Sequence, residues 1–298
     1  MGSYASAPPM HPGTTLEGRV ALITGAGRGL GAGLALELAS RGASVVLNYA
    51  RSAKAAQGVV AEIESQGGSA VAIQADISKV SEVTKLFDAA IAHFGRLDIV
   101  INNAGMESFA NEEDVTEEMF DEVFGLNTRA QFFVAQHGLK HLSRMLLASS
   151  TIITPPIFLK RPSSPPPTNQ NPGGGRIIFM SSVAATMSGV ANHALYAGSK
   201  AAVEGFTRSF SADAGPKGIT VNAIAPGGIK TDMFSANAWH YSPGADPSTS
   251  MEQIEKGIAS LCPLGRCAVP ADVARVVAFL GSADSEWING ESFPALFS

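Results

Sequence analysis

The stretch ALYAGSKAAVEGF, residues 194–206, holds a tyrosine and a lysine four positions apart. On a helix, Tyr196 and Lys200 share one face and reach a common ligand. A phenol titrates near pH ~10, too high for proton shuttling at neutral pH. A neighbouring ammonium favours the phenolate and lowers that value. The pair therefore has the makings of a general acid and base. Earlier in the chain, Ser182 closes the apolar run GRIIFMSS and can hold a substrate oxygen. Tyrosine and lysine at this spacing also occur on ordinary helix surfaces. What gives them weight is the serine at a strand end before them and a glycine-rich turn near the start of the chain.

That turn is TGAGRGLGAG, residues 24–33. It follows the apolar run RVALIT and opens a helical pattern, the setting in which such glycines bind a nucleotide rather than serve an ordinary turn. Gly25, Gly29 and Gly31 allow a tight turn and close approach of a phosphate to backbone N–H groups, with the positive end of the helix behind them. An NAD site has an acid about 20 residues further on. Here the second strand ends LNYARS, with no acid but with Arg51 and Ser52, while Arg28 stands in the turn itself. Cations and a hydroxyl suit a 2′-phosphate, which a carboxylate would repel. NADPH is therefore expected over NADH; the plainer reading of Arg51 is a solvated residue at a helix start.

The elements that must position these residues alternate regularly. Strands are expected at 19–24, 44–49, 70–76, 97–105, 175–182 and 219–228, with helices between them and a last one over ADVARVVAFLGS. A long helix is expected at 116–144, with Glu117 and Glu118 complementing the dipole of its first turn. Fully apolar strands in repeated βα units give an α/β fold: one doubly wound parallel sheet flanked by helices, with ligands beyond the carboxyl ends of the strands. The expected organisation is a flexible tail at 1–17 and a single domain at 18–298. A Pro-rich, disordered insertion is expected at about 145–172.

Composition narrows the function classes. The 298 residues carry a net charge of −5, which offers no polycationic footprint for nucleic acid. Two cysteines, Cys262 and Cys267, argue against a disulfide scaffold and for a reducing, cytoplasmic setting. MGSYASAPPMHPGTT has no basic stretch followed by an apolar one, so it reads as a disordered tail rather than a signal peptide or myristoylation site. No apolar run approaches the ~20 residues that span a bilayer, so no membrane partner is expected. His193 and His240 have no partner acids or cysteines at ligand spacing, so no metal is assigned. The acids of NEEDVTEE read as a solvated helix start.

Taken together, TGAGRGLG, NNAG (102–105), Asn127, Ser182, YAGSK (196–200) and PGGIKT (226–231) resemble the short-chain dehydrogenase/reductase family over about residues 17–290. The resemblance implies a Rossmann-type fold and an NADP(H)-dependent oxidoreductase. It implies Tyr196 as proton donor, with Ser182 on the carbonyl. Lys200 would sit on the nicotinamide ribose and lower the tyrosine pKa, and Asn127 would hold a relay water. Asp76 would contact adenine, and Asn103, Ala104 and Gly105 would line the cofactor. Leu30, Asn48, Tyr49, Ala50 and Ile77 complete that lining. Pro226, Gly227, the backbone at Ile229, and Thr231 would hold the carboxamide end. A homo-tetramer or homo-dimer is implied as well.

Within the family, VVLNYARS, NTRAQFF, HALYAGSK and APGGIKTDMF are most similar to fungal polyhydroxynaphthalene and versicolorin-type reductases. The implied substrate is a small polyhydroxylated aromatic in its keto tautomer. Met233, Phe234 and Tyr241, in a loop at about 232–262, are candidate ring contacts; Trp239 either joins them or packs the loop. The rival readings are a general carbonyl or 3-oxoacyl-thioester reductase, and an inactive NADP-binding scaffold or sensor. Two stretches depart from the family: the insertion, and the ending ESFPALFS, which lacks the family's Gly-rich turn and keeps a last strand around 292–294 at most. The codons of Arg144-Met145 and of Gly290-Glu291-Ser292 can contain intron-start signals, so both stretches are candidate translated introns.

Overall fold

The computed structural model of the chain describes residues 14–148, 174–187 and 189–295. The tail over residues 1–13 and the insertion over residues 149–172 therefore lie outside the described residues. β1 (Val20–Ile23), β2 (Ser44–Tyr49), β3 (Ser69–Gln74), β4 (Ile99–Asn102), β5 (Gly175–Met180), β6 (Ile219–Pro226) and β7 (Ser292–Ala295) form one sheet in the order β3-β2-β1-β4-β5-β6-β7. Every pairing is parallel. The order reverses between β1 and β4, where an open α/β sheet leaves a crevice beyond its carboxyl ends.

Burial explains the apolar strands: β1, β4 and β5 are covered on both faces. On one side α1 (Gly29–Ser40), α2 (Ala53–Ser65) and α9 (Pro270–Gly281) pack through Leu34, Leu38, Ile63 and Val277. On the other lie α3 (Val80–Phe94), α5 (Gln131–Ala148) and α6 (Ala194–Ala214), through Leu86, Phe87, Val134 and Phe210.

Three expectations change. The long helix is real but not uniform: α4 (Glu117–Phe124) passes through a π-helical segment, Gly125–Ala130, into α5. It also continues to Ala148, four residues into the stretch expected to be inserted. The supposed loop at 232–262 contains two helices, α7 (Asp232–Asn237) and α8 (Met251–Ser260), capped by Thr231 and Ser250. The last strand forms in full, pairing Ser292 to Ala295 with Ala223 to Pro226.

Candidate active site

The glycine turn sits at the carboxyl end of β1, and its glycines are required by contact. Gly25 has φ 64°, and a Cβ there would lie 3.0 Å from the Ala104 backbone. At Gly31 a Cβ would lie 2.3 Å from the Gly25 carbonyl oxygen and 2.7 Å from Asn103 Nδ2. Asn103 straps the turn down: its Nδ2 donates to the carbonyls of Thr24 (2.9 Å) and Gly25 (3.2 Å). The Asn103 and Ala104 amides both donate to Thr24 Oγ1 at 3.0 Å. Asn48 is buried; its Oδ1 accepts from the Gly25 amide and its Nδ2 donates to the Ala75 carbonyl, so it ties this turn to the end of β3.

Two helix starts lie open around this turn. α1 begins at Gly29 with no side-chain cap and no acid in its first turn, and α2 begins after Ser52 in the same way. The uncapped N–H groups of Gly29, Leu30 and Gly31 are suited to an anion. A Cβ on Gly27 would lie 3.4 Å from the Ala56 amide, so the turn packs on the first turn of α2. Arg51 and Ser52 are exposed beside it, after Tyr49 and Ala50. Arg28 is exposed as well, with Asp232 at 3.8 Å. This donor set, cationic and free of carboxylates at β2, fits a dinucleotide carrying a 2′-phosphate. Asp76 is half-buried, next to buried Ile77 in the chain, and its carboxyl accepts from Ser78; that hydroxyl, followed by Lys79, holds it below the usual range.

The second wall comes from β6. Thr231 caps α7 and stands 3.5 Å from where a Gly29 side chain would begin. After Pro226 and Gly227, Ile229 bridges to Ala268 through the Gly228 carbonyl and the Lys230 amide. In a parallel bridge this turns the amide and carbonyl of Ile229 itself to the opposite side, available to a ligand.

Ser182, Tyr196 and Lys200 meet between these walls, all buried. Ser182 caps a short 3₁₀ turn, its Oγ accepting from the Ala184 amide at 3.2 Å, and it lies close enough to the Tyr196 hydroxyl to favour its ionised form. Lys200 Nζ donates to the Met180 carbonyl at 2.9 Å and lies 5.7 Å from the Tyr196 ring centre. Asn127, in the π-helical segment, exchanges two 2.8 Å bonds with the Met106 backbone and donates to Ser199 Oγ. Lys200 and Asn127 both face Gly105, where a Cβ would lie 3.3 Å and 3.1 Å from their polar atoms.

Burial first, then the charge of Glu107, push the Tyr196 phenol up, while Ser182 beside it pulls the other way. Burial pushes Lys200 down to about 8, with Glu107 opposing. Glu107 went unnoticed in the sequence because nothing local marks it: it reaches the site only by folding.

The substrate candidates separate. Met233 is exposed at 42%. Phe234 instead packs with Ala238, Ile254, Ile258 and Cys267 in a small core of the lid, the segment over residues 232–262. Tyr241 lies at the site, its hydroxyl bonded to Glu107 and to His193. His240 stacks on Phe109 at 3.6 Å and Trp239 stacks on His240 at 3.5 Å. A cavity of about 400 Å³ opens beside them, lined by Ala191, Asn192 and residues 239–245. Among the described residues, no three His, Cys, Asp or Glu side chains gather as a metal site. Nor is any helix there long and apolar enough to cross a membrane.

Comparison with known proteins agrees with this geometry. Residues 19–154 match the family described as short chain dehydrogenase, and residues 165–295 the one described as Enoyl-(Acyl carrier protein) reductase. The chain is 60% identical to "Hydroxynaphthalene reductase-like protein Arp2" of Metarhizium robertsii, over 93% of each chain. It is 52% identical to "Tetrahydroxynaphthalene reductase PfmaG" of Pestalotiopsis fici, over 92% of this chain and 88% of that one. Its fold superposes with a TM-score of 0.75 on a short-chain dehydrogenase from Burkholderia cenocepacia in complex with NADP, at 33% identity over 94% of this chain and 97% of that one. A glycine turn under two uncapped helix starts, a serine–tyrosine–lysine group at the carboxyl end of the sheet, and these likenesses place the chain in the short-chain dehydrogenase/reductase family.

Proposed function

We propose that the chain is an NADPH-dependent reductase of a polyhydroxylated aromatic ketone, the keto tautomer of a naphthol, anthrol or quinone-derived polyketide. The carrying observation is the meeting of Ser182 and Tyr196 beside the glycine turn, in a chain 60% identical to a hydroxynaphthalene reductase-like protein. The cofactor, when bound, supplies a hydride to the carbonyl carbon. Ser182 and Tyr196 direct their hydroxyls at the carbonyl oxygen, and Tyr196 gives that oxygen its proton. Lys200 places positive charge behind the phenol as it becomes a phenolate. Asn127 fixes Met106 and Ser199, and so the wall that faces the lysine. Arg28, Arg51 and Ser52 hold the 2′-phosphate.

The chain is expected to act in the cytoplasm as a homo-dimer or homo-tetramer, with free Cys262 and Cys267 consistent with a reducing setting. NADPH oxidation with a hydroxynaphthalenone, a simple ketone and an acyl thioester tests the reading. Preferential turnover of the hydroxynaphthalenone is expected. Preference for the thioester would overturn the substrate class, and NADPH binding without turnover of any of them would point to a scaffold.

A further inference from the structure

Three segments distant in sequence converge over Tyr196: residues 107–110 after β4, residues 192–193 before α6, and residues 239–241 of the lid. Phe109 is stacked between His193 (4.1 Å) and His240 (3.6 Å). The Ala110 amide donates to the carbonyl of Asn192, which has φ 61°. At the centre, the Tyr241 hydroxyl touches both Glu107 Oε1 and His193 Nε2, the latter at 2.7 Å.

These contacts constrain the protons. His193 Nδ1 faces the Ser108 carbonyl oxygen at 3.0 Å, so that nitrogen carries a hydrogen. In the neutral ring Nε2 is then an acceptor. Tyr241 has one hydroxyl hydrogen and two neighbours that both accept when Glu107 is ionised and His193 neutral. Only one contact can then be a hydrogen bond; the other sets lone pair against lone pair. One additional proton, on Glu107 or on Nε2, makes both contacts good.

We propose that Glu107 is a positioning residue for the lid: by holding one proton in common with Tyr241 and His193, it latches Tyr241 over the catalytic tyrosine. The latch rests on this geometry; its consequence for turnover rests on the reductase reading above.

The surroundings decide where the proton sits. Glu107 faces Tyr241 and Asn237 of the lid, His193, and Tyr196 and Lys200 of α6; His193 also faces His240. Burial pushes the Glu107 carboxyl up, with Tyr241, Asn237 and the Lys200 charge opposing. Burial pushes His193 down to about 4, with the Ser108 carbonyl opposing. Of the two, Glu107 is therefore the group that takes up the proton as pH falls. With the lid open, Glu107 returns towards the ordinary carboxylate range, so the latched form binds the proton more tightly. The contribution of the Glu107 proton to latching is complete below that ordinary range and is lost as pH rises through the raised value. His193, held neutral, weakens the latch only as pH falls from its ordinary range towards about 4.

Trp239, next to the latch, gives a readout that needs no catalysis. In a Trp287→Phe chain it is the remaining tryptophan. Acrylamide quenching of Trp239 is measured from pH 5 to 9 without cofactor or substrate. Quenching is expected to rise with pH in the parent. It should stay low throughout in Glu107→Gln, whose amide donates to Tyr241 without titrating, and high throughout in Glu107→Leu and Tyr241→Phe. The same pH response in Glu107→Gln as in the parent would assign the signal to His240 and overturn the proposal. Low quenching in Glu107→Leu would overturn it too. With a turned-over aromatic substrate, Glu107→Leu should raise KM about tenfold, and Glu107→Gln should restore it. Absence of turnover would count against the reductase reading and leave the quenching test standing.

Discussion

Tyr196 is buried against its own ionisation, and its value as an acid depends on what surrounds it. Protonated Tyr196 suits the reductive direction, in which it gives a proton away. Tyr196→Phe is expected to lower kcat by about 10²–10⁴-fold, the usual contribution of a positioned acid, while NADPH still binds by fluorescence titration. Retained turnover would remove Tyr196 from the role. Lys200 sets the alkaline limit. Its pKa is depressed to about 8, so its charge is complete below that pH and lost as pH rises through it. The rate, normalised for cofactor binding, should fall above pH ~8 with a slope approaching one. A flat profile to pH 10 would mean that the ammonium does not assist the phenol. The sequence displayed both residues, because helical spacing is local. It concealed the direction of the tyrosine shift, because burial and Glu107 come from the fold.

Elements decide how these residues are held. The run from α4 into α5 reads as one amphipathic helix, and only the structure shows the π-helical segment that carries Asn127 to the Met106 backbone. A widened helical turn keeps an ordinary helical composition, so no residue type announces it. The lid was misread for a related reason. Its short helices carry Ser, Gly and Pro between them, which resemble loop composition, while Thr231 and Ser250 are caps. The phosphate-binding character of the start of α2, by contrast, was legible in LNYARS as a strand end without an acid followed by Arg51 and Ser52; that Ser52 leaves the helix uncapped came from the structure. Its selectivity can be measured there. Arg51→Glu replaces a cation with a carboxylate and should raise KM for NADPH roughly 10–100-fold, the cost of a lost charge-assisted bond to phosphate, with little effect on NADH. Unchanged discrimination between the cofactors would show that Arg51 is a solvated helix-start residue.

Over the whole molecule, the parallel sheet separates two ends. Ser182, the glycine turn and the lid gather at the carboxyl ends of the strands, and the entry into β5 lies at the opposite end. Among the described residues, that entry is fastened by several backbone contacts. Arg19 donates to the carbonyls of Gly281 (2.6 Å) and Gly174 (3.1 Å), Arg176 donates to the Ser282 carbonyl (3.0 Å), and the Gly175 amide donates to the Gly218 carbonyl. Both arginines are buried, and burial holds both below their usual range. The alternation of strands and helices made the parallel sheet and its active end readable from sequence, because crossover handedness leaves few alternatives. The arginine anchors were not readable, since their partners are backbone carbonyls that any residue supplies. The family matches also divide here, one ending at residue 154 and the other starting at residue 165. Joining Arg144 directly to Gly173 removes residues 145–172 and leaves these anchors of β5 in place. That variant should keep kcat/KM within about twofold of the parent, as expected for sites that share no contacts. Size-exclusion chromatography should read assembly separately, because the joined helix α5 packs near α6. A loss of kcat/KM beyond tenfold at unchanged assembly would show that the segment acts on the catalytic end, and that the two ends of the sheet are coupled.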